Sequence, residues 1–146
     1  MKTIAPHVAR TLLGLVFFVF GLNGFLHFIP QPPPPESALR FLELMTGSYL
    51  LTLVKVTEVT VGVLLLSNRF VPLALTLLAP VTVNIVLFHS TLEPLSTLGM
   101  PVVLVALQLY LAWVNRAAYA PLLRPRASAA EPSVVASPLV AAQLRP

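Results

Sequence analysis

The stretch Val71–Thr91 has the sequence VPLALTLLAPVTVNIVLFHST and contains no Asp, Glu, Lys or Arg in its 21 residues. A helix of about 20 apolar residues is long enough to cross the hydrocarbon core of a bilayer. Three further apolar runs lie at about Val8–Ile29, Tyr49–Ser67 and Pro101–Tyr119. None of them alternates polar and apolar residues as a barrel strand does. Residues 1–120 are therefore predicted to form an all-α membrane domain, a bundle of four transmembrane helices.

The composition of the chain supports this assignment. Of its 146 residues, 57% are apolar and only 10% are charged, whereas soluble domains have about 25% charged residues. A soluble fold of this size cannot bury so much apolar surface, which argues against a soluble enzyme and a disordered chain. The net charge of +4 lies at the chain ends and in one short loop, so nucleic-acid binding is not predicted. The chain has no cysteine and therefore forms no disulfide and has no thiol nucleophile.

The distribution of basic residues predicts the orientation of the bundle. Seven lie on the side of both termini and of the loop between the second and third spans: Lys2, Arg10, Arg69, Arg116, Arg124, Arg126 and Arg145. The other side has only Arg40. Because cytoplasmic loops carry the excess of Lys and Arg, both termini are predicted to be cytoplasmic. The first span, which has no evident cleavage site, is predicted to be retained as a signal-anchor.

The segments outside the spans differ in character. Pro30–Pro35 is rich in proline and is predicted to be extended. Glu36–Met45 is too short to span and is predicted to form a cap helix on the outer face, ending near Gly47. The tail 121–146, rich in Pro, Ala, Ser and Arg, is predicted to be a disordered cytoplasmic segment.

Two charged residues, Lys55 and Glu58, lie within the second span. They are about 60° apart on one helix face and are close enough to pair. Ionisable groups inside a membrane are costly and therefore mark functional sites, but a salt bridge that only fixes helix packing is an equally open interpretation. Gly62 lies one turn below Glu58 and is predicted to allow close approach of another helix.

Other polar residues of the spans fall at a similar predicted depth. These are Asn23, His27, Asn84, His89 and Gln108. Their agreement in depth predicts one polar cavity beneath the cap helix, open to the outer side. His89 lies about 140° around the helix from Asn84, so the two need not share that cavity. His27 and His89 are candidate haem ligands, but there is no CxxCH motif and a haem site is disfavoured. No metal site is predicted, because the ligand spacing of a zinc site is absent.

Four stretches resemble those of DoxX-like membrane proteins: Gly21–Pro30, Gly47–Glu58, Leu64–Ala74 and Ala79–His89. The resemblance covers about residues 8–120, although Ser48 and Thr52 replace the Gly and Pro expected there. It implies a four-helix, multi-pass protein of the bacterial inner (cytoplasmic) membrane. Family members are linked to quinone-coupled thiosulfate oxidation, through the related DoxD subunit, and to membrane redox complexes that answer oxidative stress. A distant relative is a receptor-assembly chaperone.

Three functions remain open from the sequence. The first is a membrane redox subunit, acting with other subunits, that binds a quinone or another small amphipathic ligand. In that hypothesis Glu58 handles protons, Lys55 holds an anionic or carbonyl oxygen, and Asn23, His27 and Asn84 orient the ligand. The second is a non-enzymatic assembly factor that grips partner helices. The third, a small-solute carrier, is less favoured because no broken helices are evident. Whether the chain is an enzyme stays open.

Overall fold

The computed structural model describes residues 4–30 and 32–121. Its helices are α1 (Ile4–Leu26), α2 (Glu36–Thr46), α3 (Tyr49–Leu66), α4 (Val71–Thr91), α5 (Gly99–Val114, preceded by a 3₁₀ turn at Leu95–Leu98) and α6 (Arg116–Tyr119). Four helical segments are long and apolar enough to cross a membrane. The predicted all-α, four-span bundle is therefore confirmed, while the side on which the termini lie stays a prediction. The predicted disordered tail lies, apart from Pro121, outside the described residues.

The first span ends three residues before its predicted end, for a local reason. The side-chain oxygen of Asn23 accepts the backbone N–H of Ile29 at 2.6 Å, which turns the chain away from the helix axis. His27 takes a left-handed backbone conformation with φ of 51°, and Pro30 cannot extend the helix. The chain thus leaves α1 in a tight turn, and His27 lies just beyond the end of the helix.

The four long helices form a closed ring. Helix α1 packs against α3 and α5, and α4 packs against the same two helices from the other side. Their shared core is apolar, and its most buried members are Leu13, Phe17, Val61, Leu65, Ala74, Leu75, Leu78 and Leu111, each no more than 2% exposed. Large apolar side chains also cover the outer surfaces of the helices, for example Leu53, Val83 and Leu109. Helices that are apolar on all sides are typical of membrane spans.

The closest helix pair is α1 and α3, and glycine makes their approach possible. A Cβ atom added to Gly62 would lie 2.6 Å from the backbone nitrogen of Phe18, closer than atoms can approach. A Cβ atom on Gly21 would lie 2.9 Å from the backbone nitrogen of Val59. The prediction that Gly62 admits a neighbouring helix is thereby confirmed, and that helix is α1. Close packing of this kind is a main force between helices in lipid, where the hydrophobic effect does not act.

Helix α2 lies across one end of the bundle, which we call the cap face; the end with the turn Ser67–Phe70 is the opposite face. Phe41 packs on Phe88 of α4 with ring centroids 5.7 Å apart. The Ser37 hydroxyl donates to the carbonyl of Leu92 at 3.0 Å. Ala38 and Met45 are the buried residues of α2. Helix α2 is thus fixed to the end of α4.

Candidate functional site

The charged pair lies inside the bundle, near the middle of α3. Lys55 Nζ donates to Glu58 Oε2 at 2.7 Å, as the spacing predicts. The two side chains are 21% and 5% exposed. Glu58 is eight residues from the end of α3, which is about 12 Å at 1.5 Å per residue. Glu58 lies one turn further from the cap face than Lys55, and because side chains on a helix lean toward its N-terminus, its carboxylate reaches the ammonium of Lys55.

The largest polar cavity opens at the cap face and has a volume of about 830 Å³. Its roof is the proline segment Pro32–Pro35, which joins α1 to α2. The polar side chains that line it are Asn23, His27, Lys55, His89, Glu93 and Thr97. The structure thus brings together polar groups from α1, α3, α4 and the segment after α4.

Two smaller cavities, of about 250 and 150 Å³, share walls with the first. Lys55 and His89 line all three, and Glu58 lines the two smaller ones. Asn84 lines the smallest, together with His89, so the two residues of α4 do face one polar region despite their angular separation. Lys55 is six residues from the cap-face end of α3, and His89 is two residues from the cap-face end of α4. The two side chains therefore line the cavities from different depths.

The hydrogen bond of His89 fixes the chemistry of its ring. Nδ1 lies 2.8 Å from the carbonyl oxygen of Ile85. Since a carbonyl oxygen only accepts, Nδ1 carries the proton, and in the neutral ring Nε2 is an acceptor. His89 therefore offers the cavity a lone pair, whereas Lys55 offers N–H donors.

Asn23 has a structural task in addition to lining the cavity, because it holds the turn after α1. We expect Asn23→Ala to lower the free energy of unfolding by about 1–3 kcal/mol, since the Ile29 N–H loses its acceptor. A urea or SDS unfolding titration in detergent micelles measures this. The control is Asn115→Ala, whose amide makes a bond of similar length to the carbonyl of Leu111 at the end of α5. An Asn23→Ala variant as stable as the wild-type protein would show that the turn does not need this bond.

Gln108 lies apart from the cavity. Its Nε2 donates to the backbone carbonyl of Leu75 at 3.0 Å, and it lines an apolar groove between α4 and α5 of about 600 Å³. The fourth membrane span, which consists of the 3₁₀ turn and α5, begins at Leu95 rather than near Pro101. Gln108 therefore lies deeper than predicted, at the level of Leu75 near the start of α4. Sequence reasoning also missed Glu93 and Thr97. Glu93 lies two residues after the end of α4 and Thr97 lies in the 3₁₀ turn Leu95–Leu98, and no periodicity in the sequence signals that these two segments reach the cavity.

Comparison with known proteins identifies a family. The family model described as DoxX matches residues 5–91, which cover α1 to α4 with the cap helix and every polar residue of the cavities except Glu93 and Thr97. No curated protein matches the chain, and no solved structure does.

Proposed function

The chain belongs to the DoxX family, and on that premise we propose that it is a membrane subunit of a redox complex that binds a quinone or a similar amphipathic molecule beneath the cap helix. The observation that carries this proposal is the meeting of three cavities at Lys55 and His89. A pair of charges that served packing alone would be enclosed by apolar side chains. This pair instead borders open space near the middle of the membrane.

The hydrogen-bond donors and acceptors available in the cavity match a neutral ligand with a polar head group. The ion pair uses one proton of Lys55 and one oxygen of Glu58, and its net charge is zero. Lys55 is available to donate to a carbonyl oxygen, and Nε2 of His89 is available to accept from a hydroxyl. Apolar side chains such as Phe20, Leu42 and Phe88 line the remaining walls. Ligand sites generally combine apolar walls with a few placed polar groups.

The roles of the side chains follow from their positions. Lys55 holds an oxygen of the head group, His89 and Asn84 orient it, and Glu58 takes or gives a proton through its contact with Lys55. Asn23 and His27 line the mouth of the cavity. The chain has no cysteine, so any thiol chemistry would use a partner subunit or a substrate thiol. In the bacterial inner membrane, with cytoplasmic termini, the cap face would be the outer face.

The test compares two positions that line the cavities, Asn84 and His89, with one outside them, Gln108. We expect Asn84→Leu and His89→Leu each to weaken binding of a short-chain quinone analogue by about tenfold, because one lost hydrogen bond corresponds to about 1.5 kcal/mol. Gln108→Leu removes the same kind of amide outside the cavity and is expected to leave binding unchanged. Equilibrium titration of the purified protein in nanodiscs measures the affinities, and mass spectrometry of a solvent extract identifies any bound molecule.

Two results would contradict the proposal. One is a wild-type protein that carries no extractable ligand and binds no quinone analogue. The other is an equal loss of affinity in Gln108→Leu and Asn84→Leu, which would indicate a general effect on the fold. Copurification of a membrane-protein client with the ligand-free protein would then favour an assembly factor.

A further inference from the structure

We infer that the cavity is a water-filled half-channel that opens at the cap face and ends at the Lys55–Glu58 pair. Water and protons reach the pair from the cap face and from no other side. The half-channel shares its walls with the ligand cavity and rests on that proposal, but its test uses no ligand. The half-channel makes the site one-sided, because any proton exchanged at Glu58 comes from, or returns to, the solution at the cap face.

The open side is lined with titratable and polar groups at successive depths. Glu93 and His27 lie at the mouth of the large cavity, and His89 and Lys55 lie further in. Glu58 lines the two smaller cavities and not the large one. Since polar groups with room beside them hold water, this sequence of groups is a continuous path for protons from the cap face to Glu58.

The closed side is a layer of apolar side chains contributed by all four long helices. Phe17 and Leu104 form the floor of one small cavity. Directly beyond are Leu13, Val61, Leu65 and Leu78, each 0% exposed. Gly62 closes the α1–α3 contact at this level, because Phe18 lies directly against it. Beyond Glu58, over the about 12 Å of α3 that end at Leu66, the helix contains no titratable side chain.

The charged groups near the pair all belong to the open side or to the pair itself. Helix α3 contributes Lys55 and Glu58, α4 contributes His89, and the segment after α1 contributes His27. Where α5 borders the small cavity, its residues are apolar: Met100, Pro101 and Leu104. The charged residues of α2 are exposed outside the cap. Among the residues that the structure describes, the buried polar side chains Thr82 and Gln108 line the separate groove between α4 and α5, and neither lines a cavity that Glu58 lines. Protons therefore have no relay through these side chains from Glu58 to the opposite face.

The absence of native cysteine makes a direct test available. Val54 and Val61 lie seven residues apart on one face of α3, above and below Glu58. Val54 lines the smallest cavity, whereas Val61 is 0% exposed. The single variants Val54→Cys and Val61→Cys differ little from valine in size and form a matched pair. Glu43→Cys on the exposed side of the cap and Ser67→Cys at the opposite turn report which face a reagent reaches.

The experiment applies a small, charged, membrane-impermeant thiol reagent to either side of sealed vesicles. We expect Val54→Cys to be labelled completely from the face that labels Glu43→Cys, and Val61→Cys to be unlabelled from both faces. Only the thiolate reacts, so the labelling rate of Val54→Cys should rise with the pH of the cap-side solution. It should not respond to the pH on the other side.

The outcomes separate the half-channel from the ligand proposal. Labelling of either variant from the face that labels Ser67→Cys would overturn the one-sided path, even if the protein binds a quinone. Failure to label Val54→Cys from any face would show that the cavity is dry and would also overturn it. One-sided labelling in a protein that binds no quinone would leave the half-channel standing and remove only the ligand.

Discussion

Replacing Glu58 by Gln is expected to lower the free energy of unfolding by about 3 kcal/mol, near the low end of the range of about 3–5 kcal/mol for breaking a buried ion pair. The substitution conserves shape but leaves Lys55 charged and without a counter-ion. The Lys55 side chain is 21% exposed and leans toward the cavity, so it keeps some contact with water, which places the loss near that low end. Thermal or SDS unfolding of the purified variant measures the change.

The double variant Lys55→Met/Glu58→Gln removes both charges and provides the control for this result. Because an ion pair replaced by neutral groups is often no less stable, we expect it to recover most of the lost stability. Glu43→Gln, a neutralisation on the exposed surface of α2, should change stability by no more than about 0.5 kcal/mol. If the single and double variants unfold together, the two side chains do not stabilise each other.

The features that the sequence predicted well are those that depend on length and on spacing along one helix. The observed limits of α4 agree with the predicted third span, because an uninterrupted apolar run between a three-residue turn and a loop allows few other helix boundaries. The pairing of Lys55 with Glu58 follows from a separation of three residues on one helix. The close approach at Gly62 follows from its missing side chain, although the sequence did not identify α1 as the partner.

The features that the sequence missed depend on contacts between segments. Asn23 ends α1 by accepting from Ile29 six residues later, and no periodicity in an apolar run signals such a bond. Gln108 had the expected polarity, but an earlier start of the α5 segment moved it to the level of Leu75. His89 and Asn84 both line the smallest cavity, so angular position on one helix did not decide which residues share the site.

The second large effect is expected where α1 and α3 touch. Gly62→Ala would place a Cβ atom 2.6 Å from the backbone nitrogen and 2.7 Å from the Cα atom of Phe18. Backbone atoms cannot rotate away as a flexible side chain can, so the two helices have to separate. Overpacking a well-packed core typically costs about 1–3 kcal/mol, and we expect a loss toward the upper end.

Gly99→Ala is the matched control, because a Cβ atom there meets nothing within 4 Å. Gly99 has helical backbone angles, and Ala at such a position stabilises a protein by about 0.4–1 kcal/mol. The two substitutions are chemically identical, so the difference between their unfolding free energies isolates the helix contact. We expect Gly62→Ala, combined with Val61→Cys, to make the buried thiol reactive, because the apolar layer below Glu58 loses its seal. Equal stability of the two alanine variants would mean that α1 and α3 tolerate a wider separation and that glycine at 62 does not set their distance.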